Sequence, residues 1–284
     1  MRMLGDRVPH DLPVITVDDG AGHPVVFLHG LGSDSSAWNR IAPELRQNFR
    51  LLLVDLPGVS LAKVNETGTY SVRALAEAVH RAVTAKTISN YSLVGHSFGG
   101  SVAMVCAHLH PSAVSSISVI APGGLGPELN PMLYLLASHT GVGLLRVAHT
   151  RPLQRRIDLA ADYYRASENY ADRVDEVLMK YRRLAEPSAR RYFRRSVHAA
   201  LESKRTSDFA SLESARFDVP AQVIWGSRDM VVPHWQATAA AARLGADDVN
   251  FVEGAGHAPH RTDPDKVIDC LSTFLTEGRR VRAA

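Results

Sequence analysis

Cysteine is nearly absent from this chain: its 284 residues include only Cys106 and Cys270. Neither has a second Cys or a His at metal-ligand spacing, which excludes a disulfide-stapled scaffold and a cysteine-built zinc site. Long hydrophobic runs are missing too. The longest, Met132 to Val147, covers about 16 residues and is interrupted by Ser138, His139, Thr140 and Arg146, too short and too polar to span a bilayer. The segment Met1 to Pro9 holds neither an apolar stretch nor a small-residue cleavage site, so no signal peptide is expected and a cytoplasmic location is. The same expectation sets aside the glycosylation-type triplets at Asn65 and Asn90. Charge of one sign is hardly in excess: 32 Lys and Arg against 29 Asp and Glu leave a formal +3, which gives no reason to expect a nucleic-acid partner. No internal repeat and no low-complexity tract occurs.

What is present is an ordinary globular composition, 45% apolar and 21% charged, on a chain long enough for a large core. Strands are expected at Pro13–Val17, Pro24–Leu28 and Leu51–Val54, the last fully buried because its residues do not alternate. Helices are expected at Ala37–Gln47 and Ser71–Lys86; in the second, Val72, Leu75, Ala76, Val79 and Val83 form an apolar stripe opened by a serine cap. The strand Tyr91–Val94 is followed by a helix that Pro111 ends, with Gly100, Ala103 and Ala107 as a small-residue face, and then by the strand Ser116–Ile120. From Gly123 to Phe217 the pattern is helical with no strand. Alternation resumes with the strand Ala221–Trp225, a helix His234–Leu244, the strand Val249–Val252 and a closing helix Pro264–Glu277. This order predicts an α/β architecture, a mostly parallel sheet flanked by helices. It divides the chain into a core of residues 1–122 and 218–284 and an inserted helical cap, 123–217, over the carboxyl ends of the strands.

Chemistry concentrates in three loops. Gly95-His96-Ser97-Phe98-Gly99-Gly100 joins a strand to a helix, and the glycines flanking Ser97 let the two approach while the turn lifts the hydroxyl clear of the sheet. A serine hydroxyl needs a histidine to take its proton, and that histidine needs a carboxylate to hold it. Asp229 in Trp225-Gly-Ser-Arg-Asp229 and His257 in Gly254-Ala-Gly-His257 each follow a late strand, in the chain order Ser, Asp, His. Two backbone N–H groups would complete an oxyanion hole: that of Phe98, next to the serine, and that of Leu31 in His29-Gly30-Leu31-Gly32.

On these residues, with Asp55-Leu-Pro-Gly58, Ile224 to Pro233 and Gly256 to His260, the chain resembles the α/β-hydrolase superfamily over nearly its whole length. The resemblance implies an eight-stranded, mostly parallel sheet and the triad Ser97, Asp229 and His257. It is nearest to the capped branch of esterases, enol-lactonases and carbon-carbon bond hydrolases; the serine at 97 separates it from relatives with an aspartate there. One departure stands out: Val59-Ser60-Leu61-Ala62 replaces the His-Gly-x-Ser that often follows the Asp-x-x-Gly segment.

The expected function is hydrolysis of a carboxylic ester, lactone or thioester through an acyl-enzyme on Ser97, with a small-molecule acyl substrate, no cofactor and no metal. Alternatives on the same residues are carbon-carbon hydrolysis of a vinylogous diketone and a non-hydrolytic cyclase or acyltransferase; a receptor that binds without turnover is the alternative outside catalysis. His260 reads as a loop histidine, and with His257 it lacks a third metal ligand. The 123–217 segment carries 16 Lys and Arg against 11 Asp and Glu, with Arg190, Arg191, Arg194 and Arg195 in a dense run. That run reads as a solvated helix face, with attraction of an acidic substrate or an anionic carrier protein as its functional counterpart. Tyr134, Tyr163, Tyr164, Tyr170, Tyr181 and Tyr192 lie there too, expected mostly to pack helix on helix, and Leu133–Val147 is a candidate pocket wall. A homodimer is left open.

Overall fold

The computed structural model describes residues 14–57, 71–124, 138–165 and 217–283, with single residues and short stretches between 135 and 197. Seven strands lie among them: β1 (Val14–Asp19), β2 (His23–Leu28), β3 (Phe49–Asp55), β4 (Tyr91–His96), β5 (Val114–Ile120), β6 (Ala221–Gly226) and β7 (Val249–Val252). They form one sheet in the order β1-β3-β2-β4-β5-β6-β7, with β1 antiparallel to β3 and every other pair parallel. The resemblance implies eight strands; the seven seen carry the same architecture.

Parity along each strand builds the core. In β2, Val26 and Leu28 join Leu75, Val79 and Val102 on one face of the sheet, while Val25 and Phe27 join Trp38, Ile41 and Leu271 on the other. These side chains are almost fully enclosed, and each contributes roughly 1.5–3 kcal/mol by leaving water. The first face is covered by α2 (Val72–Thr84) and α3 (Phe98–Leu109), the second by α1 (Ala42–Leu45) and α8 (Pro264–Ala283). Ser71 caps α2 as its sequence predicts, accepting the Ala74 N–H at 3.1 Å.

The expected helix Ala37–Gln47 is broken in two. A 3-10 turn, Ser35–Trp38, capped by Asp34, precedes the single turn α1, where Pro43 can stand only near a helix start because it has no N–H to give. Between β5 and β6 the described residues contain no strand. They include α4 (His139–Ala148) and α5 (Arg151–Arg165); the end of α4 is tied to a later segment by Tyr181, whose hydroxyl donates to the Ala148 carbonyl at 2.5 Å and whose ring stacks on His149. After β6 come α6 (Gln236–Leu244), then β7 and α7 (Pro259–Thr262). Among the described residues no helix is long and apolar enough to cross a membrane.

Leu144 and Val147, expected to wall a pocket, face solvent, as does Tyr163. Arg190, expected on a solvated face, is buried, its guanidinium donating to the carbonyls of Leu184 and Ala185. Arg191, Arg195, Tyr134, Tyr170, Tyr192 and Val59–Ala62 lie outside the described residues.

Candidate active site

Strand order reverses about β2: β3 lies on one side of it and β4 on the other. At such a switch point the loops leaving the two carboxyl ends diverge and open a crevice. The loops there are His29–Gly32 after β2 and Ser97 after β4.

Ser97 sits between β4 and α3 with φ 52 and ψ −117, a conformation that costs a non-glycine residue on the order of 1–3 kcal/mol. Its backbone is clamped on both sides. The Ser97 N–H donates to the Ile120 carbonyl at 2.9 Å, and the Ser97 carbonyl accepts from Ser101 and Gly123, each at 3.2 Å. Glycines make the turn possible. A Cβ on Gly95 would lie 2.5 Å from the Gly99 carbonyl oxygen, and one on Gly99 would overlap the Leu28 carbonyl oxygen and stand 2.6 Å from that of His29.

The other two residues arrive from the far side of the sheet. Asp229 follows β6 and His257 follows β7, and their loops are zipped together: Ser227 N–H donates to Val252, Arg228 N–H to Ala255, and Gly254 N–H to the Ser227 hydroxyl. Asp229 Oδ1 accepts the N–H groups of Val231 and Val232 at 2.8 and 3.0 Å, which leaves Oδ2 to meet His257 Nδ1 at 2.7 Å. The opposite ring nitrogen, Nε2, is 2.9 Å from Ser97 Oγ. The Asp229 carboxylate is enclosed and His257 nearly so. The three residues named from the sequence thus meet in one hydrogen-bonded line across 160 residues of chain.

The two backbone groups named with them lie alongside. Phe98 opens α3, so its N–H has no carbonyl four residues back within the helix to reach. Leu31 follows Gly30, and a Cβ on Gly30 would come within 3.2 Å of Ser97 Cβ, so this loop runs directly against the serine. Ser33 N–H donates to the Gly30 carbonyl and Gly32 takes φ 68, closing a tight turn around Leu31.

Three positioning side chains escaped the sequence reading. His29, wholly buried, presents Nδ1 to the Gly30 carbonyl at 2.9 Å and accepts the Leu56 N–H on Nε2 at 3.0 Å. Those two contacts fix its tautomer with the proton on Nδ1, and burial holds its pKa below the usual imidazole value. Asp55 accepts the Ser35 N–H at 2.7 Å, so the loop after β2 is tied twice to the end of β3. His96 Nε2 lies 2.8 Å from the His257 carbonyl oxygen, and the His96 ring packs 4.8 Å from that of His257 and 4.6 Å from that of His260. His260, expected in an exposed loop, is fully buried against Trp38. The available signal was a lone polar residue closing an apolar strand: His29 after Leu28, Asp55 after Val54, His96 after Gly95. Among the described residues no three His, Cys, Asp or Glu side chains gather as a metal site.

Known proteins share this arrangement of chain. A monoacylglycerol lipase of Xenopus laevis is 26% identical over 260 residues, 89% of this chain and 75% of the relative. An uncharacterized protein of Mycobacterium tuberculosis is 28% identical over 263 residues, 90% of this chain and 76% of that one. Among solved structures, an esterase of Thermogutta terrifontis superposes with a TM-score of 0.67 at 21% identity, covering 92% of each chain. A meta-cleavage product hydrolase of Pseudomonas fluorescens gives 0.70 at 17% identity over 92% of this chain and 93% of its own, a likeness of fold. The pattern of the alpha/beta hydrolase family matches residues 25–270, and the chain belongs to that family.

Proposed function

We propose that the chain is a serine hydrolase that cleaves a carboxylic ester, lactone or thioester through an acyl-enzyme on Ser97. The observation that carries this reading is the line Asp229 Oδ2, His257 Nδ1, His257 Nε2, Ser97 Oγ, at 2.7 and 2.9 Å, ending on a residue held at positive φ. His257 takes the hydroxyl proton on Nε2 as Ser97 Oγ bonds to the substrate carbonyl carbon. Asp229, already accepting the Nδ1–H hydrogen bond, stabilises the imidazolium that forms. The negative charge on the former carbonyl oxygen is met by the N–H groups of Leu31 and Phe98 and by the positive end of α3. Collapse breaks the bond to the alcohol or thiol, which leaves with the proton from His257. Water then attacks the acyl carbon, gives its proton to His257 and releases the acid, restoring the Ser97 hydroxyl.

Residues 123–217 act in this reading as a cap over the site, supported by the position of α4 and α5 in the chain between β5 and β6. An ester bond agrees with the name of the Xenopus laevis relative. The test is steady-state hydrolysis of p-nitrophenyl esters with acyl chains of two to twelve carbons, with Ser97→Ala alongside. The expected result is a chain-length optimum with kcat/KM above about 10⁴ M⁻¹s⁻¹, lost by at least about 10⁴-fold in the variant. Full turnover by Ser97→Ala would overturn the mechanism. Cleavage of a carbon-carbon bond, identified by product analysis, would keep the residues and change the substrate class.

A further inference from the structure

Helices α4 and α5 each turn large apolar side chains to water. Leu144 and Val147, one turn apart on α4, are 54% and 57% exposed, and Leu159 and Tyr163, one turn apart on α5, are 63% and 77% exposed. Arginines are interleaved with them: Arg146, Arg151, Arg155 and Arg156 are all exposed. The only acids on the two helices are Asp158, paired to Arg182 at 3.1 Å, and Asp162. The exposed surface of each helix is therefore basic and apolar at once.

We propose that this surface docks on an anionic lipid bilayer, with Leu144, Val147, Leu159 and Tyr163 entering the interfacial layer and the four arginines meeting the headgroups. A helix with aliphatic and aromatic side chains among arginines is built to lie in the plane of a charged interface, where apolar burial and headgroup attraction act together. A second copy of the chain fits less well: twofold pairing sets the same patch against itself, arginine facing arginine. An acidic peptide would meet the arginines and leave the aliphatic side chains between them in water. The attachment is peripheral and independent of the chemistry at Ser97.

The experiment is co-sedimentation of the full chain with phosphatidylcholine vesicles containing from none to two-fifths phosphatidylglycerol, at low and at high salt. Binding is expected to appear with phosphatidylglycerol and to fall with salt. The Arg155→Gln/Arg156→Gln variant should bind at least about tenfold more weakly, at roughly fivefold per arginine brought to an anionic surface. Leu144→Ser/Val147→Ser should lose a comparable factor, while Ser97→Ala should bind as the parent does. Both double variants change exposed side chains and should hydrolyse a soluble ester at the parent rate, which shows that they fold. Absence of binding to anionic vesicles, or equal binding by parent and variants, overturns the proposal. A dimer by light scattering that Leu144→Ser/Val147→Ser dissociates, without vesicle binding, would assign the surface to a second copy instead.

Discussion

His29, Asp55 and His96 each close an apolar strand with a polar side chain that reaches sideways to a neighbouring loop rather than out to water. A buried polar group left unpaired costs about 1–3 kcal/mol, so each of these residues holds its loop in the one place where the pairing is made. On the proposed mechanism, the consequence for His96 is kinetic. Its ring carries the His257 carbonyl at 2.8 Å, and His257 must keep Nε2 in line with Ser97 Oγ. His96→Leu should lower kcat by about tenfold to a hundredfold while KM stays near the parent value, because the lost contact misplaces the base and not the substrate. His96→Gln, which can still offer an N–H to that carbonyl, should recover most of the loss. Thermal melts separate the two roles: a fall in Tm that tracks kcat in both variants would make His96 merely structural. That Ser97, Asp229 and His257 meet was legible because a serine, a carboxylate and a histidine each follow a strand, in the chain order of the family that the sequence resembles; the place of His96 was not, because it bonds to a backbone carbonyl and a sequence carries no mark of that partner.

At the scale of elements, sequence periodicity told which residues are buried more reliably than how they are joined. Ala37, Trp38, Ile41 and Leu45 stand in a stripe at helical spacing at the start of the one helix expected and are all buried, yet they come from a 3-10 turn, a separate α-helical turn and the residue that leads into it. The stripe survives because both turns present residues three or four apart to the same face of the sheet. Pattern also failed to say which side of α4 faces a neighbour, and Leu144 and Val147 look outward. Glycine position tests the packing of strand against helix. Gly99→Ala would drive a methyl into the carbonyl oxygen of Leu28, which as backbone of a central strand cannot swing aside. We expect a loss of about 2–3 kcal/mol of stability, or failure to fold, with turnover falling as Ser97 is displaced. Gly143→Ala, in α4 with open space around it, should do the reverse and stabilise by about 0.5–1 kcal/mol, since a helix interior favours alanine. Chemical denaturation of the two variants side by side checks both signs.

At the scale of the whole molecule, the order of strands and helices fixed the α/β architecture from sequence because each β–α–β unit is local, whereas the edge of the sheet depends on pairings that no local signal announces. Among the described residues strand β1 stands at one edge: it runs antiparallel to β3, its single strand neighbour there. Its hold on the rest is partly electrostatic: Asp18 receives Arg50 of β3 at 2.8 Å and Lys86, just beyond α2, at 2.9 Å, joining three elements through one carboxylate. The Arg50 hydrogen bond leads the causes that bring its pKa down to about 2 from the ordinary carboxylate value near 3.8. A depressed folded-state pKa means that the unfolded chain takes up the proton first. The stabilisation is therefore complete above about pH 4 and is lost as the pH falls from there towards about 2. Partial exposure to solvent and to salt limits it to about 1 kcal/mol. Asp18→Asn should accordingly lower the stability at pH 7 by that amount, less so in high salt, and the gap between variant and parent should close as the pH is lowered through that window. A constant gap across the same pH range would show that the substituted amide disturbs the edge strand by shape rather than by loss of charge.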